Sequence, residues 1–476
     1  MNRLYTYPVF GAQDPAKIFA PLSTTPYSLF FDSADSGHAL SRYSYIAYAP
    51  FEMIESKNGH VTVTNRTQQL SFISNPFDVI RNRMETYEPV FQARDDLPPF
   101  QGGAAGFFGY DLGRDLETIT PHATDNPDMP DMAVGLYDRV FVYDHEKKSA
   151  FLIVHAAHEK DAKEKYAHFE KLISSGHGYR HKPLPDAKLD WSSSHTAKSY
   201  RDDVQTIIDY IYAGDIFQAN LSQRFDAALP RDFAPYAHYL NLRAVNPAPF
   251  ASFMNFGNVI LASASPERFL QIGAGRRVET RPIKGTHKRA ESPDMDALYR
   301  EKLLTSVKDR AENVMIVDLL RNDISKVCED FSVHVDQLCG VESFAGLHHL
   351  VSIIKGTLRA DYHPADLMAA CFPGGSITGA PKIRAMEIIE TLEKTRRGAY
   401  CGAMGYIGFN GMMDTNITIR TLVYQGQKVS FQAGGGITAQ SDPEAEYQET
   451  LTKAQAIFKS FAPKSQYHDI YEEYVA

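Results

Sequence analysis

A chain of 476 residues, 43% hydrophobic and 22% charged, has the composition of a folded globular protein of two or three ordinary domains or one large one, which excludes a disordered chain. A formal net charge of −9 argues against a nucleic-acid partner, and it means that an anionic substrate must be met by local positive groups or a metal. No run of about 20 apolar residues occurs, so no membrane-spanning helix is expected.

Residues 1–15, MNRLYTYPVFGAQDP, lack the apolar stretch of a secretory signal. The four cysteines, Cys328, Cys339, Cys371 and Cys401, form no CxxC pair; they fit a reducing cytoplasm, act as small core residues and argue against zinc. Gly102-Gly-Ala-Ala-Gly-Phe-Phe-Gly-Tyr110 is a glycine-dense segment where backbones are expected to approach closely. Val140-Phe-Val-Tyr-Asp144 and Ala150-Phe-Leu-Ile-Val154 flank a turn and predict a hairpin. Polar, Pro/Ser/Gly/His-rich residues 176–198 predict a linker between an N-terminal region, 1–175, and a C-terminal region, 199–463, with 464–476 as a tail. The second region opens on a helix: Tyr200, Val204, Ile207, Ile208 and Ile211 fall at helical spacing and Gly214 suits the position after its end. Residues 259–262, 405–409, 417–423 and 429–433 read as strands, the last two as a hairpin, and 294–322 and 443–461 as long helices. Strand runs with separate helices predict an α+β protein with mainly antiparallel sheets.

Four constellations are candidates for chemistry. Asp309 and Glu312 lie three apart on one predicted helix, and Glu446 and Glu449 on another; two such faces across a cleft suit one hard cation such as Mg²⁺. Acids at this spacing also form ordinary solvated faces, with Lys308 and Lys453 as partners. Gly434-Gly-Gly-Ile437 reads as a loop whose amides converge on an anion, or as a plain tight turn. Gly374-Gly-Ser-Ile-Thr-Gly-Ala-Pro-Lys382 can close around an anion, while Lys382 has the setting of a helix-surface charge. Lys284, in Arg281-Pro-Ile-Lys-Gly-Thr286, is a nucleophile only if burial or neighbouring positive charge keeps its amine neutral; most lysines are simply solvated.

Taken in order, Gly214-Asp-Ile-Phe-Gln218, Ser265-Pro-Glu267, Arg281-Pro-Ile-Lys-Gly-Thr286, Ala311-Glu-Asn-Val-Met-Ile-Val-Asp318, His348-His-Leu-Val-Ser352, Gly375-Ser-Ile-Thr-Gly-Ala-Pro-Lys382, Cys401-Gly-Ala-Met-Gly-Tyr406, Ala433-Gly-Gly-Gly-Ile437 and Glu444-Ala-Glu-Tyr-Gln-Glu-Thr450 closely resemble the chorismate-utilising enzymes. That family includes anthranilate synthase component I and aminodeoxychorismate synthase component I, with isochorismate and salicylate synthases more distant. The match covers roughly residues 200–460, with weaker similarity upstream at Arg42-Tyr-Ser-Tyr45 and Gly103–Asp111.

The resemblance implies an α/β sandwich: two mainly antiparallel sheets packed face to face, flanked by helices, in one large body. It implies that Glu312 and Glu449 ligate Mg²⁺, with Asp309 and Glu446 behind these ligands or reaching the metal through water. It implies that Arg420, Tyr400 and the Gly435–Gly436 backbone hold the enolpyruvyl carboxylate, that Thr286 and Ser376 contact substrate, and that Glu267 is a general base. His349 matches the family's active-site histidine. Anthranilate synthases have Pro-Ile-Ala-Gly-Thr where this chain has Lys284, as aminodeoxychorismate synthases do. That implies a covalent lysine intermediate, amination of chorismate at C4, and ammonia supplied in trans by a glutamine amidotransferase subunit (component II). Leu29-Phe-Phe-Asp-Ser33 departs from the Leu-Leu-Glu-Ser of anthranilate synthases, so inhibition by tryptophan is not expected, although some relatives retain tryptophan structurally. A metal-dependent hydrolase on the same acids would instead turn over esters or phosphates, and a dead subunit would lack Glu312, Glu449 or Lys284.

Overall fold

A computed structural model describes residues 2–11, 14–35, 37–175, 189–290, 292–343 and 347–461. Its strands form two sheets, each twelve-stranded among the described residues, and every neighbouring pair of strands runs antiparallel. The first sheet runs Arg3–Pro8, Ser149–Ala156, Arg139–Asp144, Tyr43–Ala47, Ser28–Asp32, Phe250–Asn255, Ile260–Ser265, Thr421–Gln425, Lys428–Ile437, Gln218–Ala228 and Trp191–Ser193. The second runs Ile283–Lys288, Leu347–Thr357, Arg277–Thr280, Arg268–Gly273, Met413–Ile417, Ala403–Gly408, Gly103–Phe108, Met132–Tyr137, Glu52–Lys57, His60–Asn65 and Gln69–Ile73. Gly379–Ala380 joins the first sheet and His334–Ser343 the second.

The N-terminal strands make one half of each sheet and the C-terminal strands the other. They are sewn together where Ser28–Asp32 pairs with Phe250–Asn255 and where Gly103–Phe108 pairs with Ala403–Gly408. At the second seam the two backbones meet so closely that a Cβ on Gly103 (φ +135°) would lie 2.2 Å from the Ile407 carbonyl, which explains the glycine density read from the sequence. Between the sheets, Leu29, Val140, Val142, Met254 and Leu261 of the first interleave with Ala105, Phe107, Ala133, Met404 and Tyr406 of the second. Helices Glu159–Ser175, Pro235–Val245 and Pro443–Phe461 cover the outer face of the first sheet through Phe169, Tyr239, Leu242, Ala454 and Ile457. Helices Pro76–Tyr87, Val307–Ser325 and Pro364–Cys371 cover the second through Phe77, Ile316, Leu320 and Leu367. Each such large apolar side chain contributes about 1.5–3 kcal/mol by leaving water. All four cysteines are free and buried, as core residues. Among the described residues no helix is long and apolar enough to cross a membrane.

The helix predicted from Tyr200 forms as Ala197–Ala213, capped by a Thr196/Ser199 box and ended by Gly214 at φ 84°. The 139–156 hairpin and the helix Pro443–Phe461 also form. Four local expectations are corrected. The helix read over 294–322 is two, Pro293–Thr305 and Val307–Ser325, because Ser306 leaves helical dihedrals (φ −63°, ψ 111°) and caps the second by accepting the Asp309 amide. The strand read over 417–423 is also two: Met413–Ile417 lies in the second sheet and Thr421–Gln425 in the first, and Arg420 (φ 50°) sits in the crossing between them. Gly434–Ile437 is no loop but the end of strand Lys428–Ile437, paired with Ala219–Ser222. Of the linker, 176–188 lies outside the described residues, whereas Trp191–Ser193 pairs with Gln218–Ala228 and is sheet. The tail 464–476 also lies outside them.

Candidate active site

Lys284 stands at the start of strand Ile283–Lys288 and sends its Nζ to the Ser376 carbonyl, 3.2 Å away. Ser376, on the short turn Gly375–Ile377, donates its hydroxyl to Glu267 Oε1 at 2.9 Å. The same Ser376 carbonyl accepts from Asn220 Nδ2 at 3.2 Å. Three segments distant in sequence are thus tied around one amine. The lysine stem is half-buried, but its amine ends among charged groups away from bulk water. Burial lowers its pKa; Glu312 opposes this, Lys453 reinforces it, and Glu267 and Glu449 oppose it more weakly. Glu267 is buried, and burial raises its pKa to about 7 against the stabilising Ser376 bond, the Lys284 charge and the Ile283 amide. The lysine and the glutamate are therefore driven toward their neutral forms, the state in which a lysine is nucleophilic and a carboxylate has a pKa suited to proton transfer near neutrality.

The four acids read as metal ligands converge here from helices Val307–Ser325 and Pro443–Phe461. Two of them, Glu446 and Glu449, are paired with lysines. Lys308 Nζ lies 3.2 Å from Glu446 Oε1, which also accepts the Ser441 hydroxyl at 2.6 Å. Lys453 Nζ lies 2.7 Å from Glu449 Oε1 and donates to the Gly434 carbonyl at 2.9 Å. Burial raises the Glu312 pKa, with Lys284 and Lys308 opposing and Asp309 and Glu446 adding to the rise. Burial also works to raise Glu449, but Lys453, then Lys308 and Lys284, outweigh it and the net shift is downward. Asp309 packs against Gly285, where an added Cβ would meet its Cγ at 2.9 Å. Glu446 Oε2 and Glu449 Oε1 lie 3.3 and 3.5 Å from the place a Cβ would take on Gly435. Among the described residues no three His, Cys, Asp or Glu side chains are close enough to hold one metal ion. By donor type the acids fit a hard cation.

Thr286 Oγ1 lies 2.8 Å from His349 Nδ1, fixing that imidazole across paired strands. His349 is buried, and burial, then Arg420, His38 and His348, push its pKa down to about 3, so it is neutral at pH 7. Burial lowers the Arg420 pKa too, and Glu267 is the charge that supports the guanidinium. Tyr400 is half-buried against the Arg397 guanidinium, 5.7 Å from its ring, and its phenol pKa is raised by burial. Gly435 faces the acids, and Gly436 faces Gln218, whose Nε2 lies 2.3 Å from the position of an added Cβ. Lys284, Glu267, Ser376, Glu312, Glu446, Glu449, Asp309 and Gly435 are thus linked directly through contacts or charge; Thr286 and His349 join through Arg420, and Tyr400 stands behind the Ser376 turn through Arg397.

Sequence reasoning gave no role to several residues that the structure places here. Gln218 is buried with neither side-chain atom hydrogen-bonded among the described residues, and Asn220 Oδ1 is likewise without a partner. Both lie on strand Gln218–Ala228 beside Gly436. Their polar atoms face a place where something must bond them. The signal lies in the sequence, since Gln218 closes the Gly214-Asp-Ile-Phe-Gln218 motif. Lys453 was read only as a helix-face partner, and Arg397 was not singled out. Away from this cleft, Phe31, Asp32 and Ser33 line a cavity of about 430 Å³ between the sheets. The Asp32 carboxylate there is taken by Arg243 at 2.6 Å and the Tyr239 hydroxyl at 2.8 Å.

The profile of chorismate binding enzymes matches residues 27–459. Aminodeoxychorismate synthase component 1 of Salmonella typhimurium is 41% identical over 92% of this chain and 94% of that protein. Anthranilate synthase component 1 of a Synechocystis species is 35% identical over 92% and 91%. The crystal structure of anthranilate synthase component I from Streptococcus pneumoniae superposes with a TM-score of 0.75 at 34% identity, covering 88% of this chain and 92% of that one.

Proposed function

The chain belongs to the chorismate-binding enzyme family, and from that premise we propose that it is an aminodeoxychorismate synthase component 1, converting chorismate and ammonia to 4-amino-4-deoxychorismate in the folate pathway. The observation that carries this reading is the placement of Lys284: its amine enters the cleft, faces Glu267 and the Ser376 turn, and is driven toward the neutral form. Relatives of both activities share more than a third of this sequence, so identity alone separates the two poorly, and the amine at this position separates them chemically.

The placement supports the covalent mechanism that the family resemblance implies. Glu267, with its pKa near 7, takes the proton that keeps Lys284 an ammonium. The free amine attacks C2 of the chorismate ring, the double bond shifts, and the C4 hydroxyl leaves, taking a proton to depart as water. The leaving hydroxyl takes its proton from Glu267; ammonia then attacks C4, the double bond returns, lysine is expelled from C2 as the neutral amine, and the new C4 ammonium gives a proton back to Glu267. Two displacements place nitrogen at C4, and the net change is chorismate plus ammonia to product plus water. Arg420 and the amides of Gly435 and Gly436 hold the enolpyruvyl carboxylate, and Tyr400 bounds it. His349, neutral and held by Thr286, acts as a hydrogen-bonding group toward the leaving hydroxyl. Glu312 and Glu449, with Asp309 and Glu446 behind them, would hold Mg²⁺, which supplies charge neutralisation of the dianion and its orientation. Relatives named "component 1" imply a second component, and we assign it the role of a glutamine amidotransferase that delivers ammonia.

Purified protein given chorismate, Mg²⁺ and ammonium should yield 4-amino-4-deoxychorismate. Anthranilate as the main product would replace this reading with the tryptophan-pathway activity.

A further inference from the structure

We propose that Arg397 is the positioning residue of this cleft: its buried guanidinium holds the turn that carries Ser376, the strand that carries Gln218 and Asn220, and the ring of Tyr400 in one fixed arrangement. The inference rests on the function proposed above, because it concerns how the chorismate-handling groups are held.

The geometry is that of a fork used on every tine. Nε and Nη2 bond the two carboxylate oxygens of Glu393 at 2.9 and 2.8 Å. Nη1 donates to the Ile377 carbonyl at 2.8 Å, and Nη2 also reaches the Asn220 carbonyl at 3.2 Å. The guanidinium plane lies 4.6 Å from the Tyr110 ring and 5.7 Å from the Tyr400 ring. Glu393 in turn accepts both the amide and the hydroxyl of Ser222, at 2.9 and 2.8 Å. The Arg397 carbonyl accepts Gln432 Nε2 at 3.1 Å, which ties in the strand that ends in Gly435 and Gly436.

A buried ion pair that only stabilises a fold can often be replaced by apolar side chains at little cost. Arg397 differs in where its bonds end. Ile377 is the neighbour of Ser376, whose hydroxyl bonds Glu267 and whose carbonyl receives Lys284. Asn220 bonds that same Ser376 carbonyl through its side chain. A planar, five-donor cation can serve the carboxylate and both carbonyls at once, whereas a lysine is a single point donor on a flexible stem. Arg397 touches no reacting atom in this arrangement; it acts through the groups it aims.

The test is Arg397→Lys in the full-length protein, with Glu393→Gln as a second variant that leaves the guanidinium in place but removes its anchoring charge. Three readouts are taken: thermal midpoint, kcat and KM against pH with chorismate, Mg²⁺ and ammonium, and the pH dependence of Lys284 modification by an amine-reactive reagent, read by peptide mass spectrometry without substrate. For Arg397→Lys the expected result is a folded protein, kcat/KM lower by roughly 10- to 100-fold, and an upward shift of the ionisation limb as the Ser376 bond to Glu267 loosens. Its Lys284 modification profile should move with that limb. Glu393→Gln should show the same changes in smaller measure, and it decides the matter if Arg397→Lys does not fold. Unchanged kcat, KM and modification profile, or a loss that only follows the folded fraction, would overturn the inference. Absence of product from the wild-type enzyme would instead remove the proposed function, and the substrate-free modification profile would still report on Arg397.

Discussion

Replacing Glu267 with glutamine separates its chemical role from its cost to the fold. The carboxyl is buried and its pKa stands near 7, raised from 4.5. A group held this far above its unfolded value is favoured when protonated. Below about pH 4.5 both folded and unfolded chains carry the proton and the burial costs nothing extra. Between 4.5 and 7 the native state binds a proton that the unfolded state has released, so stability falls as pH rises. At 1.36 kcal/mol per pH unit the loss reaches about 3 kcal/mol above pH 7. Glutamine cannot ionise and escapes it. Its amide places an NH₂ among the Ser376 hydroxyl and Ile283 amide donors, a penalty of about 1–3 kcal/mol that does not vary with pH. The diagnostic is therefore the slope: the stability of Glu267→Gln minus wild type, measured by urea denaturation at several pH values, should climb by about 3 kcal/mol from pH 4.5 to 8. Titrations of groups that do not interact with Glu267 cancel in that difference. Over the same range kcat of the variant should drop by about 10²–10⁴-fold and lose the limb near pH 7. A flat difference would mean that Glu267 is ionised in the fold at ordinary cost, and the proton-transfer role would go with it.

Lys284→Ala should abolish covalent attachment of chorismate-derived mass to the protein; label persisting at the wild-type level would remove Lys284 as nucleophile. Lys308→Met should tighten Mg²⁺ binding about 2- to 5-fold by calorimetry, because the half-exposed lysine competes for Glu446 with only a fraction of a kcal/mol to about 1 kcal/mol; unchanged or weaker binding would place the metal elsewhere. Gly436→Ala should displace Gln218, whose Nε2 lies 2.3 Å from the new Cβ. Because a side-chain end can swing aside, the thermal midpoint should move little while kcat/KM falls by roughly 10-fold or more, and equal activity would show that Gln218 is not aimed at substrate.

What was legible in the sequence was what is local or ordered along it. Helical spacing and an αL glycine fixed the helix after residue 196, and alternating apolar runs found the 139–156 hairpin. Where a breaker competes with periodicity, the pattern misled. Residues 294–322 keep a helical rhythm across Ser306, and only the cap geometry shows the break. Residues 417–423 keep a strand rhythm although the chain leaves one sheet for the other at Thr418–Arg420. That misreading matters for function, since the crossing is what delivers Arg420 beside Glu267. The glycine run at 434–436 looks like a loop because glycine is poor strand material, yet it is strand: a Cβ on Gly434 would lie 2.2 Å from the Leu221 carbonyl, and Gly435 and Gly436 leave space that the ends of Glu446, Glu449 and Gln218 occupy. Long-range ties such as Asn220 to Ser376 or Arg397 to Ile377 carry no periodic signature at all.

The charges of the cleft bear on the metal. On the proposed reading Glu267, Asp309, Glu312, Glu446 and Glu449 face Lys284, Lys308, Lys453 and Arg420, so the fully ionised set is negative by one charge. Releasing the proton of Lys284 to make a nucleophile without protonating Glu267 makes it more negative still, and passing that proton to Glu267 leaves the sum where it was. A dianionic substrate would then be entering a cleft of its own sign, in partly desolvated surroundings where repulsion is poorly screened. A further lysine beside the acids would compete with any cation for them, as Lys308 and Lys453 already do at Glu446 and Glu449. A divalent cation held by these acids would reverse the sign. On this reading a need for Mg²⁺ and a need for a neutral lysine would share one electrostatic origin, and Lys308→Met should lower the Mg²⁺ concentration needed for half-maximal turnover by the same factor that it tightens metal binding.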